Sequence, residues 1–147
     1  MPLRVDFYQL SQSPVEEALP ALAARMMEAG ARALVVSADI EQLARISDAL
    51  WASGDQFLAH GPAGGPHDAR QPILLAENLE ATNGASYLAL ADGQWREGAE
   101  AFERVFLLFG AATIDDARAT WRSLDGREGL ERNYWRQVTR SKWERAA

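Results

Sequence analysis

Cysteine is absent from this 147-residue chain. That excludes a disulfide scaffold, a thiolate metal centre and a cysteine nucleophile, and it fits a reducing cytoplasm. Histidine is scarce: His60 and His67 are the only two, seven residues apart in a glycine-rich loop. Metal pairs usually stand four apart on a helix, so no metal site is expected. Long apolar runs are missing too. No stretch approaches the roughly 20 residues of a membrane span, and the opening "MPLRVDFYQL" reads as a strand rather than a leader. Neither phosphate cradle is present, since no G-x-x-x-x-G-K-S/T occurs and no G-x-G-x-x-G joins a strand to a helix. "GPAGGPHDAR" has the glycines, but no strand runs straight into it and no lysine follows, so it reads as a loop. No G-x-S-x-G appears, and no Ser, His and Asp stand out as a triad. No cofactor is expected.

What is present is ordinary globular composition, 48% hydrophobic and 24% charged, in one domain's length. Net charge is -6, which argues against more than weak direct contact with DNA. The charge is unevenly spread. Residues 117–147 hold eight Lys/Arg against four Asp/Glu, while the other 116 hold seven against seventeen. A basic end on an acidic body is either a solvated helical surface or a site for an acidic peptide.

Strand-like and helix-like segments alternate. "LRVDFYQ" (3–9) is a strand. "SPVEEALPALAARMMEAG" is a helix with Ser13 as N-cap, Pro14 at its first position and Glu16 completing a capping box. Pro20 inside it is expected to kink the helix or delay its start. Residues 31–37 form a buried strand, and Asp39 or Ser37 caps a helix with apolar face Ile40, Leu43, Ile46 and Leu50. "PILLAEN", "ASYLALA" and the stretch from about Val105 are further strands. Thr113 opens another helix, and the segment "GLERNYWRQVTRSKWERAA" is expected to add one more short helix. The expectation is a single α/β domain over residues 1–147, with a mostly parallel sheet and helices on both faces. It is Rossmann-like without a working nucleotide site.

On the late helix Ile114, Ala117, Trp121 and Leu124 make the apolar stripe. At 100° per residue Arg118 falls about 40° and Arg122 about 80° from Ile114, along one edge of that stripe. Two guanidiniums beside an aromatic surface can hold a carboxylate; equally, they are solvated arginines at a sheet edge. Phe109 belongs to that surface or to the core. In "ISDALWASGDQFLAHG", Trp51 and Phe57 either close a core or await a partner, and His60 shapes the loop through a local hydrogen bond.

"VDFYQL", "ALWASGDQFLAHG", "PILLAEN", "FERVFLLF", "ARATWR" and the late tryptophans, in that order, resemble the chi subunit family of bacterial DNA polymerase III holoenzyme. The most specific part is the LW…FLAHG stretch combined with AR-x-x-W-K/R on a late helix. The resemblance implies a non-catalytic accessory protein of the clamp loader. Such a protein binds the acidic C-terminal tail of the single-stranded-DNA-binding protein and also contacts the psi subunit or an XPD-like helicase. It further implies that Arg118, Trp121, Arg122, Phe109 and Trp51 serve the tail, and that Phe57 serves psi or the helicase. Two departures stand out. A lysine found one turn before the arginine in some members falls near Ile114 here, and the C-terminal segment aligns poorly, leaving the roles of Arg140 and Lys142 open. The rival from another class is a small nucleotide-dependent enzyme using Asp39, Glu41 or His60.

Overall fold

The computed structural model describes residues 3–53 and 58–147. Eight strands form one sheet in the order β3-β4-β2-β5-β6-β1-β7-β8. They are β1 (Leu3–Gln9), β2 (Ala33–Val36), β3 (His60–Pro62), β4 (Ile73–Ala76), β5 (Tyr87–Leu90), β6 (Arg104–Phe109), β7 (Leu130–Thr139) and β8 (Lys142–Arg145). All neighbours are parallel except β7 and β8. Among the described residues the α-helices are α1 (Val15–Glu28), α2 (Ile40–Trp51) and α3 (Ile114–Ser123).

Central strands read ALVV, ILLA and YLAL because both of their faces are covered. On one face Tyr8, Val35, Leu75 and Phe106 pack against Leu19, Leu22 and Met26 of α1 and Ile46 and Leu50 of α2. On the other, Phe7, Leu34, Leu74 and Phe109 pack against Ala117 and Leu124 at α3. Helices therefore cover both faces, as the alternation of segments predicts.

One polar group sits at the centre of this apolar construction. Asp6 of β1 has no solvent exposure. Its Oδ2 accepts from Arg104 Nε at 3.0 Å and lies 2.9 Å from Arg104 Nη2, while Arg4 Nε pairs with it at 3.3 Å. Asn133 Nδ2 and Trp135 Nε1 donate to Oδ1, each at 3.2 Å. Arg145 of β8 donates to Asn133 Oδ1 at 2.7 Å, extending the network to the sheet edge. The Arg104 guanidinium also lies 4.6 Å from the Phe106 ring centre.

Three local expectations need correction. The final segment is a β-hairpin rather than a helix. Asn133, Trp135 and Gln137 of β7 face α1, while Arg132, Tyr134 and Arg136 face α3, an alternation that suits a strand. Ser13 does not cap α1. Pro14 holds the cap position without a side-chain bond, and Ser13 Oγ accepts instead from Gln137 Nε2 at 2.8 Å. Gln137 Oε1 in turn accepts from the backbone N–H groups of Ser11 (3.1 Å) and Gln12 (2.9 Å), so a β7 side chain occupies the β1–α1 loop. Finally, α1 starts at Val15 and continues past Pro20, so the proline does not delay its start, and the Glu16 carbonyl lacks its usual N–H donor. The Asp39 cap is as expected: Oδ1 accepts from Glu41 N at 3.0 Å and Gln42 N at 3.3 Å.

Replacing Asp6 by Ala strips partners from Arg104, Asn133 and Trp135 together and is expected to cost about 2–4 kcal/mol. Arg4→Ala, whose side chain is 41% exposed, should cost under about 1 kcal/mol. Urea unfolding of the two variants measures the contrast, and equal losses would contradict it.

Candidate functional site

The last helix returns across the sheet from the end of β6 to the start of β7 and lays its apolar stripe over β1 and β7. Trp121 stands edge-on to Phe7 (ring centres 5.1 Å apart) and to Tyr134 (5.5 Å). Phe7 and Tyr134 lie parallel at 6.2 Å, and Phe109 approaches Tyr134 at 5.8 Å. These rings form an aromatic bed at the boundary between α3 and β7.

Cations surround that bed. The Arg132 guanidinium carbon lies 3.9 Å from the Trp121 ring centre, over its face. Arg132 is held there by hydrogen bonds to the Trp121 carbonyl and to Asp125 Oδ1. Arg118, Arg122 and Arg136 are all exposed, and among the described residues none of them has a carboxylate within 4.0 Å. Arg118 interacts with the Tyr134 hydroxyl, which itself donates to Gln9 Oε1 at 2.5 Å. Burial raises the Tyr134 pKa above the usual 10.0, against the opposing pull of Arg118 and then Arg136. An acidic group arriving here meets cations that are not already neutralised.

Arg118, Trp121 and Arg122 therefore come together as the helix periodicity predicts. Phe109 does not join them at the surface. It is 1% exposed and supports Tyr134 from behind, so it falls to the core. Trp51 lies elsewhere. It ends α2 beside β3, at the far edge of the sheet, and α2 packs on the face opposite α3. Six inter-strand steps of about 4.8 Å, or roughly 29 Å, separate that edge from β7. Phe57 lies outside the described residues.

At the β3 edge Trp51 is 61% exposed and its ring centre is 4.4 Å from that of His60. His60 is buried and bonded at both nitrogens, Nδ1 to the Leu58 carbonyl (2.8 Å) and Nε2 to Ser47 Oγ (2.9 Å). A carbonyl only accepts, so Nδ1 donates and Nε2 accepts the serine proton. These local bonds shape the loop, as expected. A cavity of about 730 Å³ between α2, β3 and β4 is lined by Ile40, Leu43, Leu75 and the acidic Asp68, Glu77 and Glu80. Its charge is the wrong sign for a carboxylate ligand. Among the described residues no group of three or more His, Asp or Glu is placed to hold a metal ion. Nor is any helix among them long and apolar enough to cross a membrane.

The helical stripe alone did not reveal Arg132, Tyr134 and Arg136. Their signal was the two-residue alternation in "ERNYWRQV", masked by the density of charge around it.

Fold and surface together define a small open-sheet α/β protein with a cationic, aromatic face on its last helix and strand. The chain belongs to the DNA polymerase III chi subunit family, whose model, described as "DNA polymerase III chi subunit, HolC", matches residues 2–131. It is also similar to a protein of Rickettsia prowazekii (strain Madrid E) named "Probable DNA polymerase III subunit chi". The two are 27% identical over 85 residues, which is 52% of this chain and 52% of the relative. The chain thus spans about half the length of that curated relative. The family match stops at residue 131, so nearly all of β7 and all of β8 lie past it.

Tyr134 should ionise above the ordinary tyrosine range, visible in an ultraviolet titration as a component lost in Tyr134→Phe. Arg118→Ala removes a cation that favours the phenolate, so the remaining Tyr134 transition should move still higher. A downward movement would contradict the arrangement.

Proposed function

We propose that this chain is a non-catalytic accessory subunit of the DNA polymerase III clamp-loader complex. It links that complex to the single-stranded-DNA-binding protein by holding the acidic C-terminal tail of that protein. The observation that carries the reading is the set of unpaired guanidiniums of Arg118, Arg122 and Arg136 around Trp121 and Tyr134, on a chain whose net charge is -6. The tail is a flexible acidic segment ending in phenylalanine with a free carboxylate. It needs cations for the carboxylate and an apolar bed for the ring. Contacts of this kind supply about 7–8 kcal/mol, which is micromolar affinity. Several tails on one coated DNA strand raise the avidity at a replication fork. The basic end of an otherwise acidic chain steers the ligand to this face and keeps bare DNA away from the rest.

A second partner, the psi subunit or an XPD-like helicase, docks through Phe57. The exposure of Trp51 at the β3 edge, six residues before Phe57 in the chain, supports giving it to this second surface rather than to the tail. A nucleotide-dependent enzyme is the weaker reading. Asp39 is spent on capping α2, His60 is bonded at both nitrogens, and the Ser11 and Gln12 amides at the β1–α1 loop are taken by Gln137.

Fluorescence anisotropy with a labelled acidic peptide ending in phenylalanine tests the reading. Micromolar binding is expected, with Arg118→Ala costing about 1.5–3 kcal/mol. A loss within error of zero would remove Arg118 from the site. Raising salt to about 0.5 M should weaken the complex several-fold, and an unchanged affinity would contradict charge steering. Trp51→Ala should leave tail affinity within about two-fold of the unsubstituted protein, because roughly 29 Å of sheet separates it from Arg118.

A further inference from the structure

Arg118 lies in the family-matched part of the surface and interacts with a phenol that lies outside that part. Tyr134 is three residues past the end of the match, and Arg136 is two residues further along the same face of β7. The geometry of the crossing brings these groups together. The α3 helix runs back across the sheet, so its first turns lie over the C-terminal ends of the strands. Moving from Trp121 to Arg118 travels about 4.5 Å along the helix axis, and moving from Tyr134 to Arg136 travels about 6.6 Å along the strand, in the same direction. With Arg132 level with Trp121, Arg118 falls about one turn further along, near the level of Tyr134, and Arg136 lies two strand residues beyond on the same face. Arg136 is in register with Gln9, whose side chain accepts the Tyr134 hydroxyl proton. With that proton committed to Gln9, the phenol oxygen presents its remaining lone pair to the cations that act on it, Arg118 and then Arg136. Tyr134 is thus the group that the two guanidiniums share.

We propose that Arg136 completes the anion site that Arg118 begins, so that the terminal carboxylate of an acidic peptide is clamped between a guanidinium from α3 and one from β7, with Tyr134 as the positioning residue. The clamp rests on the tail-binding reading above and says which atoms of the peptide are held and by which two elements. Arg122, one turn further along α3 and at the other end of the bed, then faces the acidic side chains upstream in the peptide rather than its terminus. Two guanidiniums on different elements discriminate a free carboxylate from an amide. Both lone-pair sides of the carboxylate are used, and an amide presents a donor to one of them.

A cycle of protein and peptide variants tests the clamp. The unsubstituted protein, Arg118→Ala and Arg136→Gln are each titrated against the labelled acidic peptide ending in free phenylalanine and against its C-terminally amidated form. Arg136 is exposed and carries no ion pair, so the Gln variant should keep its melting temperature, checked in parallel. Arg136→Gln should weaken the free-acid peptide by about 5–20-fold and the amidated peptide by less than about two-fold. Equal weakening of both peptides would show Arg136 acting only through general charge and would overturn the clamp. So would a change under two-fold for the free acid while Arg118→Ala still abolishes binding, which leaves the tail reading intact. If the unsubstituted protein binds neither peptide, the reading and the clamp fall together.

Discussion

A carboxylate with no water around it must be met by donors from its own chain. Asp6 draws them from two neighbouring strands, Arg104 on β6 and Asn133 and Trp135 on β7, while Arg4 beside it on β1 adds a charge without a hydrogen bond. The partners on β6 and β7 are 98 and 127 residues away in sequence. No local propensity brings such distant strands into register; a fixed polar anchor does. A one-residue slip of β1 would turn Asp6 toward Leu107 and Phe109 and leave three donors empty. The value of a buried ionic group of this kind lies more in choosing one arrangement than in added stability, since its desolvation offsets much of the attraction. The same register sets Phe7 against Tyr134 and Gln9 against Arg136, on which the aromatic bed and its cations depend.

Gln137 extends this anchoring to the other end of β7. Through one amide it accepts from Ser11 N and Gln12 N and donates to Ser13 Oγ. The hairpin is thereby bound to the start of α1 as well as to β1. A cationic face built partly on that hairpin is as rigid as the sheet itself, which lowers the cost of ordering the arginine-bearing backbone when a ligand arrives.

Much of this was legible in the chain. Buried parallel strands announce themselves as short apolar runs, and the spacing of Ile114, Ala117, Trp121 and Leu124 placed Arg118 and Arg122 on the exposed side of α3, where the structure has them. Asp39 was recognisable as a cap because it directly precedes an amphipathic run. The failures have a common cause. Ser13 looked like a cap because its partner, Gln137, is 124 residues away. The hairpin looked helical because its polar inward residues, Asn133 and Gln137, are buried only by serving Asp6 and the β1–α1 loop. Trp51 was grouped with residues that lie far from it because nothing local says that α2 and α3 cover opposite faces of the sheet. Phe109 ends a strand, which tells neither whether it is covered nor by what. In each case the deciding contact is long-range and polar, or depends on topology, and periodicity records neither.

The distance between the β3 edge and the α3–β7 face has a mechanical meaning. At roughly 29 Å it is several times the screening length of about 8 Å at physiological salt, so charge brought to one edge is not felt at the other. Between them lie strands buried on both faces and packed at crystal-like density. Under the proposed function, ligands at the two edges would add their free energies without cooperation or interference. The sheet would then serve as a strut that fixes how far apart two bound molecules stand and carries no message from one to the other.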